Sequence, residues 1–276
     1  YTTLFRSESM KKQLLSIYPK ISEERVIVTG TPQFDFHFKT EYHLPREKLA
    51  RRIGIDPSRP FIFYTSGIAK HFPEEHRHVG FIANFLNQNG LKPQPQLMVR
   101  TYVKGTSSEM NALASKRIPN VVFPSVQWDD KWFMPHFDDL AIYTSCLKHT
   151  AMGINAASTV SLELMLFDKP IMNIGFDPPG SRLSHTYRWV RHIEFDHFKP
   201  VSESGGVKVA YSTDDMREMI TENLKHPGRG SDARQRFLQN FFGDMLDGHS
   251  GARVAQQLLR LSQLPCKRVE ANKVHF

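Results

Sequence analysis

The sequence predicts an α/β fold with a doubly wound, Rossmann-like parallel sheet. Short and wholly apolar runs recur between residues 61 and 174, and segments with the apolar spacing of a helix separate them. Strands that are apolar on both faces are covered by helices on both sides, which is typical of parallel sheets. The length of 276 residues, with 40% hydrophobic and 23% charged residues, is enough to bury a large core.

The first part of the chain is less regular. Residues 9–18 predict a helix that Pro19 stops, and residues 26–28 predict a strand that ends in a turn at Gly30. Residues 39–59 are polar and rich in proline, which indicates a connector with a helix at 46–53.

Strands and helices then alternate. The predicted strands of the sheet are residues 61–65, 96–100, 120–123, 151–155, 170–174 and 207–210. The predicted helices are residues 73–89, 107–115, 137–148, 158–168, 213–224, 232–242 and 250–264. Ser212 is the expected N-cap of the helix at 213–224, because acidic residues follow it in the first turn. Sheets of this kind bind ligands beyond the carboxyl ends of their strands.

The formal net charge of +8 fits nucleic acid, an anionic membrane surface or a small anionic substrate. No ribonucleoprotein motif, zinc finger or aromatic-basic repeat is present, so we expect no nucleic-acid partner. No apolar run reaches the roughly 20 residues of a membrane span, and peripheral membrane contact stays open. The two cysteines, Cys146 and Cys266, form no metal-binding or disulfide pattern, which favours the cytoplasm or the inner face of its membrane.

The first seven residues match the in-frame translation of a common short-read sequencing adapter. We therefore expect residues 1–7 to be an artefact and the chain to be a fragment of a longer protein. The predicted organisation continues with an N-terminal-domain remnant and linker at 8–59, an α/β domain at 60–264 and a basic tail at 265–276.

The most informative segment runs from Asn155 to Pro170. It leads from a buried strand into a helix through small residues and hydroxyls. Ser158 and Thr159 can cap that helix or bind phosphate oxygens at its N-terminus. Glu163 lies about one turn further on, where its carboxylate can accept two hydrogen bonds from a ribose diol. The structural alternatives are an ordinary cap and a solvated carboxylate.

This segment resembles the donor-site helix of GT-B glycosyltransferases, in which a Gly/Ser-rich turn leads to a helix with a ribose-binding Glu, a Lys-Pro pair and a strand. Other segments follow the same template in order. They are Val28–Asp35, Phe61–Gly67, Asn120–Pro124, and Asp247, Gly248 and Arg253 near the end of the chain. The resemblance covers about residues 20–262 and implies the C-terminal, nucleotide-sugar-binding half of a GT-B fold followed by C-terminal helices.

The resemblance implies that Ser158 and Thr159 bind the donor diphosphate and that Glu163 binds the ribose. It also places Ser66 and Gly67 in the loop that faces the donor phosphates. Arg100 ends the second strand at the crevice, where it can neutralise phosphate, with Lys104 as a further cation near the cleft. His197 is a candidate cleft residue.

The implied activity is transfer of a sugar from a UDP-sugar to an unknown glycan or lipid-linked acceptor, without a cofactor or metal. His185, His192 and His197 lack metal-ligand spacing, and the adjacent Asp138 and Asp139 are interpreted as a solvated helix face. The general base of such enzymes commonly comes from the N-terminal domain, so none is named.

Three alternatives stay open. A CDP-glycerol-type phosphotransferase is weakened because Arg100-Thr101-Tyr102-Val103 replaces the expected Arg-x-His-Pro. A UDP-sugar epimerase is disfavoured because the paired carboxylates of its donor helix are missing near Glu163. A non-catalytic nucleotide-binding module is the third. A dinucleotide-dependent oxidoreductase is disfavoured, because no GxGxxG follows an early strand.

Overall fold

The computed structural model describes residues 3–103, 106–132 and 134–263, and they form two compact units. The larger unit is Lys39–Asn240, and the smaller one contains the described residues on either side of it. The predicted division of a longer protein at residues 59 and 60 stays a prediction.

The described strands and helices follow in chain order. The strands are β1 (Thr3–Phe5), β2 (Val26–Val28), β3 (Phe61–Thr65), β4 (Gln96–Arg100), β5 (Val121–Val122), β6 (Trp128–Asp129), β7 (Met134–Pro135), β8 (Met152–Asn155), β9 (Ile171–Ile174) and β10 (Lys208–Ala210). The α-helices are α1 (Glu8–Ile17), α2 (Arg46–Ile53), α3 (Glu75–Gln88), α4 (Ser108–Ser115), α5 (Phe137–His149), α6 (Val160–Leu166), α7 (Val190–Glu194), α8 (Lys199–Ser202), α9 (Thr213–Lys225), α10 (Ser231–Phe242) and α11 (Ser250–Ser262). Short 3-10 helices span Glu23–Arg25, Pro32–Phe38, Thr40–Tyr42, His185–Tyr187 and Gly243–Met245.

The larger unit is built on a six-stranded sheet with the order β10-β9-β8-β3-β4-β5. Every neighbouring pair in this sheet is parallel. The chain runs outward from β3 to β5 and then returns to β8, on the other side of β3. The strand order therefore reverses between β3 and β8, and the predicted doubly wound α/β fold is confirmed.

Both faces of the sheet are buried, which explains why its strands are apolar throughout. Along β3, Ile62 and Tyr64 belong to a cluster with residues of α3, α4 and α9. Phe61 and Phe63 belong to a second cluster with residues of α2, α5 and α6. Successive side chains of a strand point to opposite faces, so an apolar run fills both cores at once.

Most predicted elements are present, and their ends differ by a few residues. Helix α3 begins at Glu75 rather than residue 73, because Glu74 has a left-handed backbone with φ of 59°. Helix α6 begins at Val160 and has only seven residues. The Ser212 hydroxyl accepts a hydrogen bond from the Asp215 amide at 3.1 Å, which confirms the predicted N-cap of α9.

The smaller unit contains β1 and β2, which pair in parallel. Strand β1 falls within the segment expected to be foreign, and that origin stays a prediction. The Asp35 carboxylate accepts hydrogen bonds from the amides of Ser250 and Gly251 at 3.1 and 2.7 Å, at the start of α11. A carboxylate there is favoured by the helix dipole. No helix among the described residues is long and apolar enough to cross a membrane.

Candidate functional site

The carboxyl edge of the sheet brings the loops after β3, β4 and β8 together. Thr65 at the end of β3 lies in register with Arg100 of β4 and with Asn155 of β8. The strand order reverses between β3 and β8, and open α/β sheets commonly bind their ligands beyond the carboxyl ends of the strands at such a reversal. Of the predicted site residues, Ser66 and Gly67 follow β3, Arg100 ends β4, and Ser158 and Thr159 lie between β8 and α6.

The loop after β3 is held by hydrogen bonds to the loop after β4 and to helix α3. The Ser66 hydroxyl accepts a hydrogen bond from the Tyr102 amide at 2.8 Å. The Gly67 amide donates to the Glu75 carboxyl at 3.1 Å. A β-carbon on Gly67 would come within 2.1 Å of the Phe72 ring, so glycine is needed here. These contacts position the loop, and the predicted phosphate-binding role of Ser66 and Gly67 stays a prediction.

Glu75 is a buried carboxyl that no sequence pattern revealed. It accepts a hydrogen bond from the Tyr64 hydroxyl at 2.9 Å, and burial raises its pKa to about 8. His78 lies on the same helix, with Nε2 at 3.1 Å from the Phe176 carbonyl oxygen, and burial lowers its pKa to about 4. Both side chains are therefore predominantly uncharged near pH 7.

Arg100 is held in an ion pair. Its guanidinium bonds both carboxylate oxygens of Asp139, one of them at 3.2 Å, and lies 5.0 Å from the centre of the Tyr143 ring. Asp139 is fully buried, so its interpretation as part of a solvated face was wrong, whereas the neighbouring Asp138 is exposed. No sequence motif indicates this pairing, because 39 residues separate the partners.

Glu163 is buried beside the same cluster. The Tyr143 hydroxyl donates a hydrogen bond to the Glu163 carboxylate. Burial holds the pKa of Tyr143 well above its ordinary value, and the nearby Glu163 carboxylate adds to this effect. The sequence alternative of a solvated Glu163 is therefore wrong. A carboxylate has about four acceptor positions, so this bond is compatible with the predicted ribose contact.

The turn from β8 into α6 is fixed by buried polar side chains. The Asn173 amide of β9 donates to the Asn155 side-chain oxygen at 2.8 Å and to the Ser161 hydroxyl at 3.0 Å. The Ser158 hydroxyl accepts a 3.3 Å hydrogen bond from the amide of Val160. The polar Asn155 and Asn173 within apolar strands were the sequence signal for this network, and it was missed.

The remaining predicted site residues are Thr159, His197 and Lys104. Thr159 is exposed. His197 is exposed and stacks on Phe195, with 5.6 Å between ring centres, and Phe195 in turn contacts His192. Lys104 lies outside the described residues. Among the residues that are described, no group of three or more His, Cys, Asp or Glu side chains is arranged to hold a metal ion.

Comparison with solved structures finds the same architecture in proteins of very different sequence. The chain is similar to the UDP-GlcNAc 2-epimerase of Neisseria meningitidis bound to UDP-GlcNAc, with a TM-score of 0.57, 16% identity, and coverage of 92% of this chain and 60% of that one. For the S. aureus MnaA–UDP structure, the TM-score is 0.54 and the identity is 14%, and the match covers 94% of this chain and 60% of that one. For a variant of the wall teichoic acid polymerase TagF soaked with CDPG, the TM-score is 0.57 and the identity is 11%, and the match covers 94% of this chain and 57% of that one.

The TM-scores show a similarity of fold alone, and the six-stranded parallel sheet matches the Rossmann-like halves of GT-B folds. The chain spans about 60% of the length of the first structures that it matches. No protein-family model matches the sequence, and a search of curated proteins finds no significant relative.

Proposed function

We propose that the chain binds a nucleoside-diphosphate sugar at the carboxyl edge of its six-stranded sheet, as the donor-binding half of a glycosyltransferase. The observation that carries this proposal is the reversal of strand order between β3 and β8, with the buried Glu163 beside it. The carboxylate is the acceptor that a ribose diol requires. Ser158 and Thr159 immediately precede α6, the helix that contains Glu163, and we assign their hydroxyls to the diphosphate.

The proposed chemistry depends on charge at the leaving diphosphate. Arg100 supplies a fixed guanidinium at the edge where the phosphates would lie. Because Asp139 shares this charge, Arg100 acts as an oriented donor rather than as a full counter-ion. Fixed donors that face developing negative charge lower the barrier to its formation. Ser66, Gly67, Lys104 and His197 remain assigned to the cleft, and the acceptor is a glycan or lipid-linked molecule.

UDP is the proposed nucleotide, because two structures with this fold contain UDP-GlcNAc or UDP. The second candidate is a CDP-glycerol-type phosphotransferase, since the TagF variant soaked with CDPG matches the chain equally well at 0.57. A UDP-sugar epimerase relative is the third. Epimerases share the fold, but Glu163 has no paired carboxylate in this segment of the sequence.

A thermal-shift panel of the full chain with UDP, CDP, GDP, ADP and NAD tests the proposal. A ligand that binds only the folded protein at 100 times its dissociation constant stabilises it by about 2.7 kcal/mol. We expect the largest shift with UDP and its loss in Glu163→Gln. The matched control is Glu218→Gln, an exposed carboxylate on α9. A larger shift with CDP would favour the phosphotransferase, and no shift with any nucleotide would contradict the proposal.

A further inference from the structure

The amino edge of the sheet contains a cavity of about 500 Å³, at the end opposite to the proposed donor site. Pro60, Ala151 and Pro170 line it, and each immediately precedes a strand of the parallel sheet. We call it the amino-edge pocket. Its ionisable lining residues are Arg46, Lys92, His149, Asp168, Lys169 and Lys225. The volume is within the range of about 300–1,000 Å³ that is typical of small-molecule sites.

The charges of the amino-edge pocket are unbalanced. Four cationic side chains line it, together with one carboxylate, that of Asp168. Asp168 is already engaged, because it accepts hydrogen bonds from the Arg234 guanidinium and the Ser231 hydroxyl, both at 2.7 Å. Within the described part of the chain, none of the four cations forms an ion pair with a carboxylate.

Arg46 is fixed in place without being neutralised. Its guanidinium donates to the carbonyl oxygens of Pro57, Arg59 and His149 at 2.8, 2.7 and 3.0 Å. Carbonyl groups orient the guanidinium and leave its positive charge uncompensated. A preorganised cation of this kind loses little side-chain entropy when an anion binds.

Two ionisable groups beside Arg46 have lowered pKa values, and burial is the main cause of both shifts. Burial lowers the pKa of Lys169, and Arg46 lowers it further, against the opposing effect of Asp168. Burial also lowers the pKa of His149, and Arg46 and Lys169 add to that effect. The His149 ring lies with Nε2 at 2.9 Å from the Leu44 carbonyl oxygen. An anion in the pocket would raise both pKa values, since an opposite charge favours the protonated form.

We propose that the amino-edge pocket binds the phosphate group of a phosphorylated small molecule or lipid, with Arg46, Lys92, Lys169 and Lys225 as its counter-charges. A doubly charged phosphate suits several ammonium groups and a fixed guanidinium better than a single carboxylate does. The lining also contains proline and leucine side chains, which can contact the apolar remainder of the ligand. This site is independent of the proposed nucleotide-sugar function, because it lies at the other edge of the sheet.

Calorimetric titration of the full chain with pyrophosphate, at matched ionic strength in sodium chloride, tests the proposal. We expect binding to weaken about tenfold or more in Lys169→Met and in Lys225→Met, as expected from losing one charged contact. Lys116→Met is the matched control, because Lys116 is exposed beyond α4 and does not line the pocket. Equal affinity in wild type and both pocket variants, or no binding beyond that of chloride, would overturn the proposal.

Two further measurements identify the source of the phosphate and separate this site from the donor site. Co-sedimentation that requires vesicles containing phosphatidic acid, whose headgroup is a terminal phosphate, rather than phosphatidylcholine alone, and that is lost in Lys169→Met, would assign a lipid headgroup. Pyrophosphate binding without co-sedimentation would assign a free phosphorylated molecule. A UDP shift that survives Lys169→Met but not Glu163→Gln would show two separate sites, so that failure of one proposal leaves the other testable.

Discussion

The two edges of the six-stranded sheet differ in whether their cationic side chains are paired with carboxylates. At the carboxyl edge, Arg100 pairs with Asp139, and Glu163 accepts a hydrogen bond from Tyr143. At the amino edge, four cations surround a cavity whose single carboxylate is paired with Arg234. The carboxyl edge therefore contains a guanidinium that is already paired with a carboxylate, whereas the amino edge has an excess of positive charge that an external anion can neutralise. The following substitutions test this difference, from the largest expected effect to the smallest.

Removal of Asp139 should have the largest effect, because it leaves Arg100 partly buried without its counter-charge. We expect Asp139→Ala to lower the free energy of unfolding by about 3–5 kcal/mol, as for other broken buried pairs. Asp138→Ala is the control. Its exposed pair with Arg52 at 3.2 Å should contribute less than about 1 kcal/mol. Urea unfolding of both variants measures the difference, and equal losses would mean that the Arg100–Asp139 pair is not a buried structural unit.

The buried Glu75 predicts a stability that depends on pH. Its pKa is 4.5 in the unfolded chain and about 8 in the folded one, because burial disfavours the charged form. Its contribution is therefore complete below pH 4.5 and is lost as the pH rises through 8. Glu75→Gln should match wild type near pH 4 and exceed it near pH 9, by an amount on the order of a few kcal/mol.

Thermal unfolding of Glu75→Gln and wild type at a series of pH values measures this effect. The contribution of His78 to stability changes with pH in the opposite direction. Its pKa falls from 6.5 to about 4, so its contribution is lost as the pH falls from 6.5 through 4. The difference between the two proteins cancels the His78 contribution, since both contain it. A difference that does not grow between pH 4 and 9 would show that Glu75 ionises freely in the folded protein.

Gly153 tests how closely α6 lies on β8. A β-carbon at Gly153 would come within 2.1 Å of a Leu164 methyl group. Overpacking of this kind costs about 1–3 kcal/mol, so Gly153→Ala should destabilise the protein by that amount. A β-carbon at Gly80 on α3 would meet no neighbouring group within 4 Å, and Gly80→Ala should stabilise the protein by up to about 1 kcal/mol. Thermal unfolding of both variants measures these changes, and effects of the same sign would contradict the close packing of α6.

The smallest change in stability is expected at the amino edge. It is a gain, whereas removal of Asp139 should cause a loss. Lys169→Met removes a half-buried cation whose burial disfavours the charged form, which is a larger effect than the attraction of Asp168 or the repulsion by Arg46. After allowance for solvent screening, we expect a gain of less than about 1 kcal/mol at low salt in the absence of phosphate. Urea unfolding at low and high salt measures it. A loss of stability at low salt would mean that the charge of Lys169 is compensated within the protein.

The sequence predicted the sheet because apolar runs such as 61–65 can be buried only between two layers of helices. It also predicted the capping by Ser212, which depends on residues three positions apart. The buried pairs could not be predicted in this way. Asp139 meets Arg100 and Glu163 meets Tyr143 only after the strands are ordered, and helical spacing alone cannot show which partner faces a carboxylate.

The amino-edge pocket was missed for a related reason. Its cations come from separate elements, and each of them resembles an ordinary surface lysine or arginine in the sequence. Only the parallel order of the strands brings the residues before β3, β8 and β9 to one edge. By contrast, the proposed carboxyl-edge site could be predicted from the segment between Asn155 and Pro170, because its hydroxyls and its glutamate are close together in the chain, and its role stays a prediction.

In the proposed function, the carboxyl edge binds a nucleoside-diphosphate sugar through Glu163. The most direct measurement is the UDP-induced change in melting temperature of wild type, Glu163→Gln and Glu218→Gln. We predict a UDP shift in wild type and Glu218→Gln that is lost in Glu163→Gln. A UDP shift of equal size in all three folded proteins would contradict the assignment of the ribose to Glu163.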